Sequence, residues 1–293
     1  MSNVQHRGSV AVVGCGWLGL PLARELLARG YAVRGTTTRP ERLAELEALG
    51  VEAHVLTLPL GLPDLVAASA KTAEGDDDGP TGVDTVERVF GADQLVLNVP
   101  PGRRDHEDDI HRYGGAILSA VLASRRHSPS GRVLFVSSTG VYGGLNGAVD
   151  ETTAIEAPTP RAARLLLAES QVLAQAQRPA LVVRLGGLYG GRRHPGRYLA
   201  GRTGLPDGDA PVNLTSRGRA VAAIADLLDH PFWTERLVNV VDPEHPTRAA
   251  YYTAFAQAEG IPPPSFLPGG ADGKVVRSVS RMLTAGGRQD RRR

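Results

Sequence analysis

The sequence predicts an α/β protein: a doubly wound parallel sheet with a smaller C-terminal portion. Three observations carry that expectation. An apolar β-type run at residues 9–13 opens directly into a glycine-rich turn and a segment with helical spacing. Short β-branched runs then alternate with helical patterns as far as residue 185, the order that gives parallel strands with helices on both faces. Glycine and proline fall between those segments, as at Gly30, Gly50 and Pro100-Pro101, where elements stop.

The elements follow in order. After the strand at 9–13, Leu18, Leu22 and Leu26 recur at helical spacing, so 18–29 reads as a helix closed by Gly30. Residues 31–36 read as the second strand. A helix at 40–49 has Pro40 near its start and Gly50 beyond its end. Residues 51–56 read as the third strand. The acidic stretch 71–82 reads as a polar surface loop. Then come strand 93–99, helix 110–124, strand 132–137, the long helix 161–176 and strand 180–185. Beyond them the spacing predicts a helix at 219–228, a short strand at 237–241 and a helix at 251–259 closed by Gly260.

Composition bounds the function. The chain has 293 residues, 42% hydrophobic and 22% charged, which excludes a mainly disordered chain. A net charge of +2 gives no global field for nucleic acid or an anionic membrane, and basic residues are not interleaved with aromatics. The single cysteine, Cys15, excludes an intrachain disulfide and a thiol metal cluster. No run approaches the roughly 18 apolar residues of a membrane span, and the start lacks a signal-peptide core. These features read as a cytoplasmic protein with a small-molecule substrate. No zinc-hydrolase, P-loop or nucleophile-elbow motif occurs.

Gly14-Cys15-Gly16-Trp17-Leu18-Gly19 is a G-x-G-x-x-G between a strand and a helix. In that context Gly14 permits the tight turn, Gly16 lets backbone approach a pyrophosphate, and Gly19 lets helix and strand pack closely. The helix start, at Trp17 and Leu18, offers free N–H groups and a positive dipole end. The plainer reading is a tight turn without a ligand. The second strand bears on the choice of nucleotide. It ends Thr36-Thr37-Thr38-Arg39-Pro40 with no acid before Glu41, whereas an acid there would hold a ribose 2′-hydroxyl. Thr37 and Arg39 suit a 2′-phosphate instead, so NADP is expected rather than NAD. A solvated helix-start residue is the plainer reading of Arg39.

Three later segments carry a resemblance. Val133 to Gly143 (VLFVSSTGVYG), Val183 to Gly190 (VRLGGLYG), and Val212-Asn213-Leu214 followed by Val238-Asn239-Val240 resemble the extended short-chain dehydrogenases/reductases. Asn98-Val99-Pro100-Pro101 is similar to the fourth-strand segment of an atypical, epimerase/dehydratase-like subgroup. The resemblance covers about residues 8 to 265. It implies a Rossmann domain at 8–190, rejoined by the strand at 237–241, and a substrate-side portion at 191–272; the sequence pattern itself reads as a weakly ordered tail at 273–293. The resemblance also implies a homodimer, and adds Asn98 and Pro100 to the expected cofactor residues.

The sequence departs from that family at the catalytic helix. The expected Tyr-x-x-x-Lys falls on Arg161 and Leu165, and the only lysines are Lys71 and Lys274, both remote from that helix in sequence. Ser138 matches the family's Ser/Thr and reads as a donor to a substrate oxygen, or as a group satisfying backbone at a strand end. Tyr142 and Tyr189 read as catalytic or as parts of structural Tyr-Gly turns. Arg161 and Arg164 share a helix face and would bind a carboxylate or polarise an oxyanion, or form a solvated face. His194 reads as a general acid or an exposed loop residue. Arg192-Arg193 and the loop at 103–106 are further charged candidates. The expected function is an NADP-dependent oxidoreductase acting on a small carbonyl or imine. The alternatives are a non-catalytic NADP(H)-binding sensor or interaction protein and a nucleotide-sugar epimerase/dehydratase.

Overall fold

The computed structural model describes residues 7–61, 83–101, 107–156, 159–174 and 179–283. The elements begin β1 (Ser9–Val13), α1 (Gly19–Ala28), β2 (Ala32–Thr37), and a 3-10 turn at Pro40–Arg42 running into α2 (Leu43–Glu47). They continue with β3 (Glu52–Val55), α3 (Val83–Phe90), β4 (Gln94–Leu97), α4 (Glu107–His127) and β5 (Arg132–Ser138). After β6 (Ala148–Val149) come α5 (Pro160–Leu173), β7 (Ala180–Leu185), β8 (Gly187–Tyr189), α6 (Pro195–Leu199) and β9 (Leu214–Ser216). The last are α7 (Arg217–Asp229), β10 (Leu237–Val240), α8 (Arg248–Ala258) and β11 (Val275–Val276).

Seven strands form one parallel sheet in the order β3-β2-β1-β4-β5-β7-β10. The winding reverses between β1 and β4, which leaves a crevice at the carboxyl ends of those strands. Burial on both faces explains the apolar runs. Ala11 and Val13 enter one layer with Val89 of α3, Ile117 of α4 and Leu165 of α5. Val10 and Val12 enter the other with Leu22 and Leu26 of α1 and Ile224 and Leu227 of α7. Strands covered on both sides need no polar alternation.

Side-chain hydroxyls start the later helices. Thr159 accepts from the N–H of Ala162 (3.2 Å), Ser216 from Arg219 (3.2 Å) and Thr247 from Ala250 (3.2 Å), each satisfying a donor the helix leaves open. The segment assigned to a smaller portion at 191–272 therefore divides. Its helix α7 packs on the main sheet, because Ala220, Ile224, Leu227 and Leu228 present one apolar stripe. A satellite core of Val212, Leu214 and Tyr252 belongs to the remainder.

The weakly ordered tail expected from residue 273 is corrected as far as residue 283. β11 pairs in parallel with β6. The Glu151 carboxylate accepts from the N–H of Asn239 (2.6 Å), the hydroxyl of Ser278 (2.6 Å) and the N–H of Val279 (2.9 Å). Two β-branched residues are too short a run to show a period, and their partners are remote in sequence. The expected loops at 71–82 and 103–106 and the terminal basic run lie outside the described residues. Glu151→Ala should loosen 275–283, raising amide exchange there in hydrogen-exchange mass spectrometry and lowering stability by about 2 kcal/mol. Unchanged protection of Val279 would contradict this anchoring.

Candidate functional site

A cavity of about 760 Å³ opens at the carboxyl ends of β1, β2, β4, β5 and β7. Gly14, at φ +101°, turns the chain out of β1. A Cβ there would stand 2.5 Å from the carbonyl oxygen of Asn98, and one on Gly19 would collide with the carbonyl of Gly14. The Asn98 amide donates to that same Gly14 carbonyl (2.9 Å), clamping the loop to the end of β4. Gly14 N–H is in turn held by Thr36 Oγ1 (3.1 Å) and Cys15 N–H by the Thr36 carbonyl (2.8 Å).

The loop is thus rigid where it meets the sheet and open where it meets the cavity. A Cβ on Gly16 would meet nothing within 4 Å. The N–H groups of Trp17 and Leu18 have no protein acceptor among the described residues, and α1 has no side-chain cap. Bare backbone donors at a helix start, beside the open space at Gly16, fit an anionic pyrophosphate. Cys15 is not a reactive group: it is buried, and burial pushes its thiol up to about 11. Gly19 packs behind the loop rather than lining the cavity.

At the β2 end Thr37, Thr38, Arg39 and Arg42 line the wall. Thr37 Oγ1 accepts from Arg39 N–H (3.2 Å). Arg42 donates to the Cys15 carbonyl (2.9 Å) and pairs with Glu45 (2.9 Å), so its guanidinium is tethered beside the glycine loop. Among the described residues no Asp or Glu lines the cavity, whereas Arg39, Arg42, Arg161 and Arg193 do. Above the loop, Trp17 lies between two guanidinium groups: Arg193 and Arg217 each stand 5.0 Å from its ring centroid.

At the other end β4, β5 and α5 contribute Asn98, Pro100, Ser138, Arg161 and Leu165, and α4 contributes Tyr113. Ser138 Oγ accepts from Gly140 N–H (3.0 Å). That bond occupies an oxygen lone pair and leaves the hydroxyl proton available, so the two readings of Ser138 are compatible. Tyr113 donates to the Val99 carbonyl (2.9 Å), and burial raises its pKa.

Tyr142 does not approach the cavity, which corrects its place among the catalytic candidates. Its hydroxyl turns into the core, donating to the Asp150 carbonyl (2.8 Å) and accepting from Arg184 (2.9 Å) and Asn239 (3.1 Å). Arg184 pairs with the buried Glu169 (2.6 Å), which also accepts from Ser137 Oγ (2.6 Å). The Tyr-Gly turn is structural because this network claims the phenol. Tyr189 donates to Asp242 (2.9 Å). His194 caps α6, accepting from Gly196 N–H (3.1 Å), while it stacks on Phe255 and contacts Tyr251 (2.9 Å). Burial lowers its pKa. Neither Tyr189 nor His194 lines the cavity, and Arg164 is buried rather than facing it.

Residues singled out only by the structure are Arg42, Tyr113 and Lys274. Arg42 follows Arg39 by one turn, a signal present in the sequence. Lys274, immediately before β11, donates to the Thr139 carbonyl (3.2 Å), a contact that sequence distance hides.

A parallel sheet with a glycine-looped crevice at its reversal point defines a dinucleotide-binding α/β protein of Rossmann type. Residues 10–203 match the NAD dependent epimerase/dehydratase family, and the chain belongs to that family, whose members use a nicotinamide nucleotide. It is 34% identical over 258 residues to Protein YeeZ of Escherichia coli K12, covering 88% of this chain and 86% of that one. Its fold is similar to a UDP-glucuronic acid 4-epimerase from Bacillus cereus in complex with NAD, with a TM-score of 0.69 at 16% identity over 94% of this chain and 91% of that one. It is also similar to a functionally unknown conserved protein from Silicibacter pomeroyi, with a TM-score of 0.62 at 22% identity over 92% of this chain and 89% of that one. Among the described residues no helix is long and apolar enough to cross a membrane.

Proposed function

We propose that the protein is an NADP-dependent oxidoreductase that reduces a small carbonyl or imine. The observation that supports this best is the cavity wall itself, with arginines at both ends and, among the described residues, no carboxylate. Gly14, Gly16, Trp17 and Leu18 would hold the pyrophosphate, Thr37, Arg39 and Arg42 the 2′-phosphate, and Asn98 and Pro100 the far half. The nucleotide, when bound, supplies a hydride.

The chain's own residues do the rest. Ser138 Oγ accepts from Gly140 N–H, which leaves its hydroxyl proton to donate to a reacting oxygen or nitrogen. Arg161 presents its guanidinium to the cavity and orients a polar substrate. Leu165 takes the family's lysine position and is buried, so the helix cannot lower the pKa of a phenol. A substrate that arrives protonated, such as an iminium, asks least of this wall.

Arg39→Ser should weaken NADPH binding by about 1.5–3 kcal/mol, roughly ten- to hundredfold, and leave NADH binding within about threefold. Equal losses for both nucleotides would contradict the assignment of the 2′-phosphate to Arg39. The catalytic reading is tested by following reduced-nicotinamide absorbance with a panel of carbonyls and cyclic imines. Substrate-dependent oxidation supports it. Tight NADPH binding without turnover favours the second reading, a non-catalytic NADP(H)-binding sensor, which is supported by the structural use of Tyr142 and Tyr189. An epimerase or dehydratase ranks below both, since its proton shuttling would need the phenol that the catalytic helix lacks.

A further inference from the structure

Two cations approach the Ser138 end of the cavity from different elements. Arg161, in the first turn of α5, lines the cavity. Its Nε and Ser138 Oγ both border Gly140: a Cβ on that glycine would stand 3.9 Å from the first and 3.3 Å from the second. Lys274 flanks the same corner from the C-terminal segment without being among the residues that line the cavity, its Nζ donating to the carbonyl of Thr139 (3.2 Å). Among the described residues neither Arg161 nor Lys274 takes part in an ion pair. The acid nearest Lys274 in sequence, Asp272, is engaged by the Asn146 amide (2.9 Å).

We propose that Arg161 and Lys274 form a carboxylate subsite at the Ser138 end of the cavity, so that the substrate is a keto or imino acid rather than a neutral carbonyl. This rests on reading the cavity as the cofactor and substrate site.

The physical argument is one of unpaired charge. A half-buried ammonium with a single carbonyl acceptor and a guanidinium for a neighbour is held at a cost, which an anion between the two would offset. Burial and then the charge of Arg161 lower the Lys274 pKa, and no carboxylate among the described residues counters them. Arginine supplies the planar fork that matches a carboxylate, and lysine supplies a compact second charge. The anion would lie within reach of the Ser138 hydroxyl, setting the adjacent carbonyl or imine carbon beside that donor. The lysine missing from the helix is thus replaced in charge, though not in position, by one from the C-terminal segment.

The test is calorimetric titration of the protein with pyruvate, its neutral analogue pyruvamide and inorganic phosphate, each with and without NADPH. Wild type should bind pyruvate at least tenfold more tightly than pyruvamide. Arg161→Gln and Lys274→Met should each lose tenfold or more of the pyruvate affinity, while Lys274→Arg should retain it within about threefold. Arg161 has an exposed side chain in the first helical turn, so its variant keeps the fold even if Lys274→Met does not. Pyruvate and pyruvamide binding alike, phosphate binding in place of pyruvate, no pyruvate binding, or unchanged affinity in Arg161→Gln would each overturn the subsite. Charge-dependent pyruvate binding in a protein that fails to bind NADPH would uphold the subsite and count against the cofactor reading alone.

Discussion

Gly16→Asp is expected to fold as wild type and to lose measurable affinity for both nicotinamide dinucleotides. The two halves of that expectation have separate causes. The fold survives because a Cβ at Gly16 meets nothing within 4 Å, unlike one at Gly14 or Gly19. Binding fails because the new side chain fills the space a pyrophosphate would enter and puts a like charge against it. The loss should exceed about 3 kcal/mol, more than a hundredfold in affinity. It is read by nicotinamide fluorescence, with the melting temperature as the control for folding. Retained affinity in a folded variant would sink the assignment of the glycine loop.

Arg184→Met should be the most destabilising single replacement behind the site. Arg184 and Glu169 are both nearly fully buried, and their pair at 2.6 Å joins Ser137 to Tyr142. Removing the arginine leaves the glutamate buried and uncompensated, at a cost of about 3–5 kcal/mol, or roughly 10 °C in melting temperature. The double variant Arg184→Met/Glu169→Leu should recover most of that loss, since the stranded charge rather than the missing attraction dominates. A single variant as stable as wild type would contradict the network. Ser137 also lines the cavity, so nucleotide affinity should fall with the single replacement as well.

Much of the fold was legible because the parallel strands are covered on both faces. Runs such as 10–13 and 180–183 are continuously apolar, and a glycine follows each within a few residues. The expected helix at 40–49 instead divides into a 3-10 turn and a shorter helix, and 110–124 lengthens at both ends, since local periodicity fixes element type better than boundary. β6, β8, β9 and β11 have only two or three residues each. Their pairing is set by contacts between remote parts of the chain, which no local pattern carries.

The candidate site divides in the same way. The glycine loop, Thr37, Arg39, Asn98, Pro100, Ser138 and Arg161 were legible because each follows a strand or opens a helix. Tyr142 was misplaced because the partners of its hydroxyl, Arg184 and Asn239, lie on β7 and β10. Sequence shows that a tyrosine follows a strand, but not which way its ring turns. Lys274 was invisible for the converse reason: it enters the corner through a strand pair formed with residues more than a hundred positions earlier.

The most direct test of the account is a side-by-side fluorescence titration of the wild-type protein with NADPH and NADH. A wall with Arg39 and Arg42 and no acid at the end of β2 predicts that both nucleotides bind and that NADPH binds at least about tenfold more tightly, a difference of roughly 1.4 kcal/mol. Equal affinities, a preference for NADH, or binding of neither would contradict it.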